Sequence, residues 1–303
     1  MTGEEIVKKI QELKKERDAV ILVHNYQPPE IQDIADHLGD SLDLSRLAQR
    51  LPNKVIIFCG VHFMAETAAI LSPEKKVILP EPTAGCPMAD MLSDADLAEV
   101  KRAYPDAVVV SYVNSTARVK AITDICCTSA NALKVVESIE EGRKIIFGPD
   151  QHLANWVSSR SKREIIPWKG FCPSHIRIMP DEIIEKKKMY PDAKVMVHPE
   201  CTSKITALAD EVCGTGQMIK YAGASDASTF IVGTEVGMIY RLKTLYPEKE
   251  FIPASENAVC KNMKKITLEK VLSSLESLEP VITVEPEIAE RARAAIERMI
   301  EIV

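Results

Sequence analysis

The chain has no long apolar run, no block of a single charge and no C-x-x-C signature, and each absence removes a class of protein. With no apolar stretch approaching about 20 residues, no membrane-spanning helix is expected. The opening MTGEEIVKKIQELKKERDA is charged and amphipathic, with Ile6, Ile10 and Leu13 on one face. It lacks the apolar centre of a signal peptide, so a cytoplasmic protein with reduced thiols is expected. Acidic and basic residues are interspersed to a net charge of −6, which leaves no basic patch for nucleic acid or anionic lipid. No linker or low-complexity segment stands out, and an apolar content of 46% is ordinary for a globular chain.

What the chain does have is one long repeat in three copies. Cys86, Cys172 and Cys260 stand 86 and 88 residues apart. Each follows an apolar run closed by proline: VILP at 77–80, EIIP at 164–167 and EFIP at 250–253. Other landmarks recur in step. His24, Tyr112 and His198 follow a short β-branched strand in each copy, and Tyr26, Asn114 and Glu200 come two residues later. A second strand ends at Gly60, Gly148 and Gly233, and the hydroxyls of Ser41, Ser129 and Thr215 precede a helix in every copy.

Short β-branched runs alternating with helical periodicity predict parallel sheets covered by helices on both faces. The expected fold is α/β, with three homologous three-layer αβα domains around a pseudo-threefold axis. The predicted division is 1–90 plus 265–303, 91–176 and 177–264, each unit carrying three strands. The segment 286–303 reads as one more helix, with Ile288, Ala292, Ala295, Met299 and Ile302 on its apolar face, packing back on the first unit.

Ligand sites in such sheets lie beyond the carboxyl ends of the strands, where all the repeated landmarks fall. A lone buried cysteine is usually an inert small hydrophobe. Three at one repeat position, converging on an axis, instead read as a three-thiolate metal site. A [4Fe–4S] cluster with one open iron and a catalytic zinc both fit that ligand count. Cys59, Cys126 and Cys127 read as core, Cys213 as a cysteine before a helix start with no counterpart in the other units, and Cys201 as a neighbour of the site. Glu200 is the carboxylate among the repeated positions and suits acid–base work. Ser41, Ser129 and Thr215 read as helix caps or as anion contacts at helix N-termini. His175 is a candidate site residue, while His62 and His152 are candidates for the rim. An enzyme acting on a small anionic substrate is favoured over an iron–sulfur carrier, which needs four ligands and little cavity.

The chain resembles the quinolinate synthase family. The similarity is carried by HNYQ (24–27), GDSL (39–42), GCPMAD (85–90), YVNS (112–115), TSANA (128–132), GPDQHLA (148–154), GFCPSH (170–175), HPEC (198–201) and ENAVCKNMK (256–264). The resemblance implies a [4Fe–4S] cluster on Cys86, Cys172 and Cys260. It implies condensation of iminoaspartate with dihydroxyacetone phosphate to quinolinate, with loss of phosphate and water, in de novo NAD synthesis. It further implies proton transfer by Tyr26, Glu200 and His198. Substrate contacts would come from His24, Ser41, Tyr112, Asn114, Ser129, His175, His198, Glu200 and Thr215. Functional coupling to an aspartate-oxidising enzyme is also implied. Some members carry C-x-x-C-x-x-C at the third cysteine; here Cys260 stands alone, so a regulatory disulfide there is not expected.

Overall fold

The computed structural model describes residues 1–302; Val303, the last residue of the expected C-terminal helix, lies outside the described residues. The same string of elements is written three times. The first copy runs α1 (Gly3–Glu16), β1 (Ala19–His24), α2 (Pro29–Gln32), β2 (His37–Gly39), α3 (Ser41–Arg50), β3 (Val55–Cys59), α4 (His62–Leu71) and β4 (Lys76–Ile78). The second runs α5 (Asp94–Ala103), β5 (Val108–Tyr112), α6 (Ala117–Lys120), β6 (Ile125–Cys127), α7 (Ala132–Glu137), β7 (Ile145–Gly148), α8 (Gln151–Ser158) and β8 (Ile165–Pro167). The third runs α9 (Pro180–Met189), β9 (Lys194–Val197), α10 (Ser203–Thr206), β10 (Glu211–Val212), α11 (Thr215–Ala224), β11 (Thr229–Gly233), α12 (Gly237–Leu245) and β12 (Glu250–Pro253). Two further helices follow, α13 (Leu268–Ser277) and α14 (Pro286–Glu301).

Each copy forms a four-stranded, all-parallel sheet: β2-β1-β3-β4, β6-β5-β7-β8 and β10-β9-β11-β12. The first and third strands of each string lie side by side at the centre, which makes their carboxyl ends the switch point where such folds bind ligands. Their residues are apolar and buried without alternation, as in AVILVH of β1 and VIIFC of β3, because helices cover both faces.

The sequence reading expected three strands per unit, and the structure has four. The extra strands β2, β6 and β10 are two or three residues long and lie at the sheet edge. One aspartate enters each of them. Asp36, Asp124 and Asp210 accept the backbone N–H of Ile21, Val109 and Val195, each at 2.8 Å. A carboxylate thus supplies the ladder bond that so short a strand cannot provide.

The three units meet in a cycle. The short helix after the first strand of one unit packs on the helix after the third strand of its neighbour: α2 on α12, α6 on α4, and α10 on α8. This is the pseudo-threefold arrangement expected from the repeat. In each unit a cation just ahead of the last strand caps the C-terminus of the middle helix. Lys75 donates to Ala48 and Leu51 carbonyls, Arg163 to Glu137, and Lys249 to Ala222 and Ser225. The negative ends of α3, α7 and α11 are therefore neutralised at the periphery, and their positive ends face the axis.

The terminal helices differ from expectation. It is α13 that packs on α1 of the first unit. Helix α14 lies across the first two units, on α3 and α4 of one and on α6 and β6 of the other. Ala292, Ala295, Ile296 and Met299 form its buried stripe, with Ile288 and Ile302 partly covered. Its last carbonyls are bound from both sides, Ile300 by Arg46 and Met299 by Asn131. Among the described residues no helix is long and apolar enough to cross a membrane.

Candidate active site

One cavity lies on the axis, where loops of all three units meet. It is lined by His24, Tyr26, Ser41, Tyr112, Asn114, Ser129, His175, His198, Glu200 and Thr215, together with Cys86, Cys172 and Cys260. Every residue singled out as a catalytic, substrate or metal contact is in that lining. His62 and His152 are not, and His62 instead faces Glu66 of its own helix at 3.8 Å. Cys59, Cys126, Cys127, Cys201 and Cys213 are buried elsewhere.

The three thiols share one local geometry. Each cysteine opens a turn that leads into a single 3-10 turn, at Ala89–Met91, His175–Arg177 and Met263–Lys265. The N–H groups two and three residues on are directed at the sulfur. They come from Met88 and Ala89 for Cys86, Ser174 and His175 for Cys172, and Asn262 and Met263 for Cys260. Burial nonetheless dominates and pushes the Cys86 thiol up to about 12, with Cys172 and Cys260 also raised. Six donors aimed at three sulfurs are arranged for thiolate charge, and burial withholds that charge until a cationic centre binds. Val61, Phe63, Met64, Met88 and Met263 give the cavity an apolar part of its wall. The donor set therefore fits a metal centre held by three thiolates.

Carboxylates steady two of these cysteine turns. Glu235 accepts the N–H of Cys260 at 3.0 Å and that of Gly237 at 2.7 Å, and pairs with Lys264 at 3.0 Å. Asp150 caps α8 through Leu153 N–H at 2.7 Å and also accepts from the Cys172 backbone. Both follow a repeated glycine by two residues. Sequence reasoning missed them because the first copy has His62 at that place.

The backbone dictates the histidine tautomers. His24 Nδ1 accepts the N–H of Tyr26 at 3.2 Å, and His198 Nδ1 accepts that of Glu200 at 3.3 Å. A neutral ring then carries its proton on Nε2, and in His198 that nitrogen meets Ser129 Oγ at 3.1 Å. Both rings are neutral, since burial lowers each from 6.5 to about 3.

Glu200 is buried and anchored by His175, whose Nδ1 lies 2.8 Å from Oε2. Burial alone would raise its carboxyl, but the close approach of His175 and the hydrogen bond from the Tyr112 hydroxyl hold it below the usual range. His175 Nδ1 donates to this carboxylate, so in the neutral ring Nε2 accepts from Thr234 Oγ1 at 2.9 Å. Thr234 in turn accepts from Tyr26 OH at 2.6 Å. A directed chain thus runs from Tyr26 through Thr234 and His175 to Glu200. Thr234 has no polar counterpart in the first two copies, Val61 and Pro149 standing there, so the repeat gave no signal for it.

None of the three repeated hydroxyls is a helix cap. The caps are Asp40 for α3, Asn131 for α7 and Gly214 for α11. Thr215 Oγ1 accepts from Asn25 Nδ2 at 3.0 Å. The Asp40 carboxylate collects N–H groups from Leu42, Asp43 and Gly216, bridging the starts of α3 and α11. A Cβ at Gly216 would stand 2.7 Å from Asp40 Oδ2, so glycine is what permits this approach. Asn114 Oδ1 is buried in the wall without a hydrogen-bond partner. An orphaned buried acceptor of this kind suits a ligand donor.

One expectation follows for stability. Because the folded-state pKa of His24 and of His198 is depressed, the unfolded chain takes up protons between about pH 6.5 and 3 that the folded chain refuses. Their contribution is complete above 6.5 and is lost as pH falls, by roughly 2 kcal/mol per histidine at pH 5. Urea midpoints at pH 7.5 and 5 should show the drop, and His24→Asn should shrink it; an unchanged pH slope in that variant would contradict the assignment.

The family model described as Quinolinate synthetase A protein matches residues 8–301. The chain is 59% identical over 303 residues to the quinolinate synthase of Dehalococcoides mccartyi (strain CBDB1), covering 100% of both. It is 50% identical over 302 residues to the quinolinate synthase of Methanosarcina barkeri (strain Fusaro / DSM 804), covering 100% of this chain and 99% of the relative. With that of Thermodesulfovibrio yellowstonii (strain ATCC 51303 / DSM 11347 / YP87) it shares 50% over 301 residues, 98% of each.

Proposed function

The chain belongs to the Quinolinate synthetase A protein family, and from that premise we propose that it is a quinolinate synthase of NAD biosynthesis. The reaction assigned is condensation of iminoaspartate with dihydroxyacetone phosphate, losing phosphate and water. The observation that carries the reading is the convergence of three equivalent cysteine turns with Glu200, Tyr26 and three histidines on one buried cavity. We assign a [4Fe–4S] cluster to Cys86, Cys172 and Cys260. When bound, such a cluster keeps one iron free of protein and supplies a Lewis acid for a substrate oxygen or nitrogen. The three units, 1–90 with 265–303, 91–176 and 177–264, each contribute one cysteine.

The chain's own groups divide the remaining work. Glu200, ionised and fed by Tyr112 and His175, accepts protons from carbon or nitrogen of the condensing substrates. Tyr26 takes a proton from substrate as its own passes through Thr234 and His175 to Glu200. His24 and His198 present Nε2–H to substrate oxygens and, being neutral, do so without titrating near pH 7. Ser41, Ser129 and Thr215, beside the starts of α3 and α11, hold carboxylate and phosphate oxygens. Asn114 Oδ1 accepts from a substrate hydroxyl. Burial of the whole set excludes water, which would hydrolyse an imine. An aspartate-oxidising enzyme is the partner that such a substrate calls for.

The test is anaerobic purification with iron and sulfide analysis, followed by a quinolinate assay on the two substrates. About four irons per chain with quinolinate formed supports both assignments. One specific grouping favours a second reading: Cys172, His175 and Glu200 offer ligand atoms within 4.8 Å of one another. Stoichiometric zinc in place of iron would favour that mononuclear site and a hydro-lyase acting on another dicarboxylate.

A further inference from the structure

Lys120 is fully buried, with no exposed surface, and lies outside the cavity lining. It ends α6, at the seam where α6 packs on α4 of the first unit. Its Nζ donates to the carbonyl of Ser115, the residue that closes the turn bearing Tyr112 and Asn114. From the other side, Nζ stands 5.3 Å from the centroid of Phe63, which lines the cavity. Glu66, one turn further along α4, accepts the N–H of Ala117 at 3.1 Å and fastens the start of α6 to the same helix.

The repeat explains what a lysine does there. The residue 88 positions earlier is Gln32, also buried, at the end of α2. Its Nε2 donates to Gln27 O at 2.8 Å and to Asn25 O at 3.2 Å, within the turn that bears His24 and Tyr26. It also donates to Gly237 O at 3.1 Å, on α12 of the neighbouring unit. Ser115 is the counterpart of Gln27, so Lys120 and Gln32 make the same bond, five residues back, at equivalent seams. In the third unit the counterpart is Thr206, whose hydroxyl reaches only Ser203 O at 3.2 Å in an exposed position.

We propose that Lys120 and Gln32 are positioning residues: buried donors that hold the Tyr112–Asn114 and His24–Tyr26 turns against the adjacent units. Neither touches the reacting atoms. Each sets where its turn stands across a subunit-like seam, and thereby where a site hydroxyl or imidazole points. In this role the donor matters and the positive charge does not, since glutamine serves in the first unit.

The experiment is amide hydrogen exchange on the full-length protein, comparing Lys120→Met, Lys120→Gln and Gln32→Leu with the parent. Lys120→Met should accelerate exchange about tenfold or more in residues 112–117 and leave residues 24–28 unchanged. Gln32→Leu should do the reverse. Lys120→Gln should keep the 112–117 turn protected, because it copies the bond made in the first unit. Parent-like exchange in Lys120→Met would overturn the proposal, and so would loss of protection in Lys120→Gln. If Lys120→Met does not fold, Lys120→Gln alone decides between the two. A quinolinate assay on the same samples should show kcat lowered in Lys120→Met and retained in Lys120→Gln. That assay rests on the proposed reaction. If the parent itself forms no quinolinate, the reaction assignment falls while the exchange result still stands.

Discussion

Anaerobically purified Cys172→Ala is expected to carry almost no iron or sulfide, with the same outcome for Cys86→Ala and Cys260→Ala. Cys59→Ala should keep the parent's iron content. The reasoning is one of shared coordination. Each of the three thiols is served by two backbone N–H groups in the same local turn, and all three line one cavity. With only three cysteines in the lining, losing one leaves two, too few to retain a four-iron centre. Activity should fall to background in all three variants. Cys59, by contrast, ends β3 inside the core, where burial pushes its thiol well up and keeps it neutral. The Cys172 variant is the most informative because its sulfur also lies 3.1 Å from His175 Nδ1. Full iron there would sink the shared-ligand idea, whereas full iron in Cys59→Ala is required for the contrast to mean anything.

The repeat made much of this architecture legible before any coordinate. Parallel sheets, the helices on both faces and the threefold cycle follow from landmarks holding register, and the cavity lining coincides with residues at those landmarks. What escaped was whatever the repeat does not repeat, or repeats too faintly. The edge strands β2, β6 and β10 are HLG, ICC and EV, too short for periodicity to register. The aspartates that launch them, Asp36, Asp124 and Asp210, do recur at 88 and 86 residues and were visible in principle. They look like ordinary loop carboxylates until the backbone N–H they serve is known. Thr234 has a polar side chain in one copy only, the carboxylates Glu235 and Asp150 give way to His62 in the first copy, and Asp40 is acidic where its counterparts are Thr128 and Gly214. Single-copy polar residues beside a symmetric frame are where chemistry departs from architecture, and symmetry arguments are blind to them. The placement of α14 across two units was missed for another reason. An apolar stripe says that a helix packs, and not on which of two equivalent apolar surfaces.

Glu200→Gln is expected to retain the parent's iron and fold while losing turnover by roughly 10²–10⁴-fold, the range for removing a positioned acid–base group. The substitution is nearly isosteric, so the bond from the Tyr112 hydroxyl keeps a partner. What disappears is the charge. Without it, His175 Nδ1–H faces an amide that attracts it less, and the chain from Tyr26 through Thr234 loses the acceptor that gives it direction. The loss should therefore appear in kcat and not in KM, because Ser41, Ser129, Thr215 and the two neutral histidines remain to bind substrate. A companion, Thr234→Val, removes one relay hydroxyl while leaving Glu200 intact. It should lower kcat by less than Glu200→Gln, and in the double variant the two losses should fall short of their product, as for groups acting in one chain. Multiplicative losses would mean that Tyr26 and Glu200 work separately. An active Glu200→Gln with normal kcat would remove the carboxylate from proton transfer altogether.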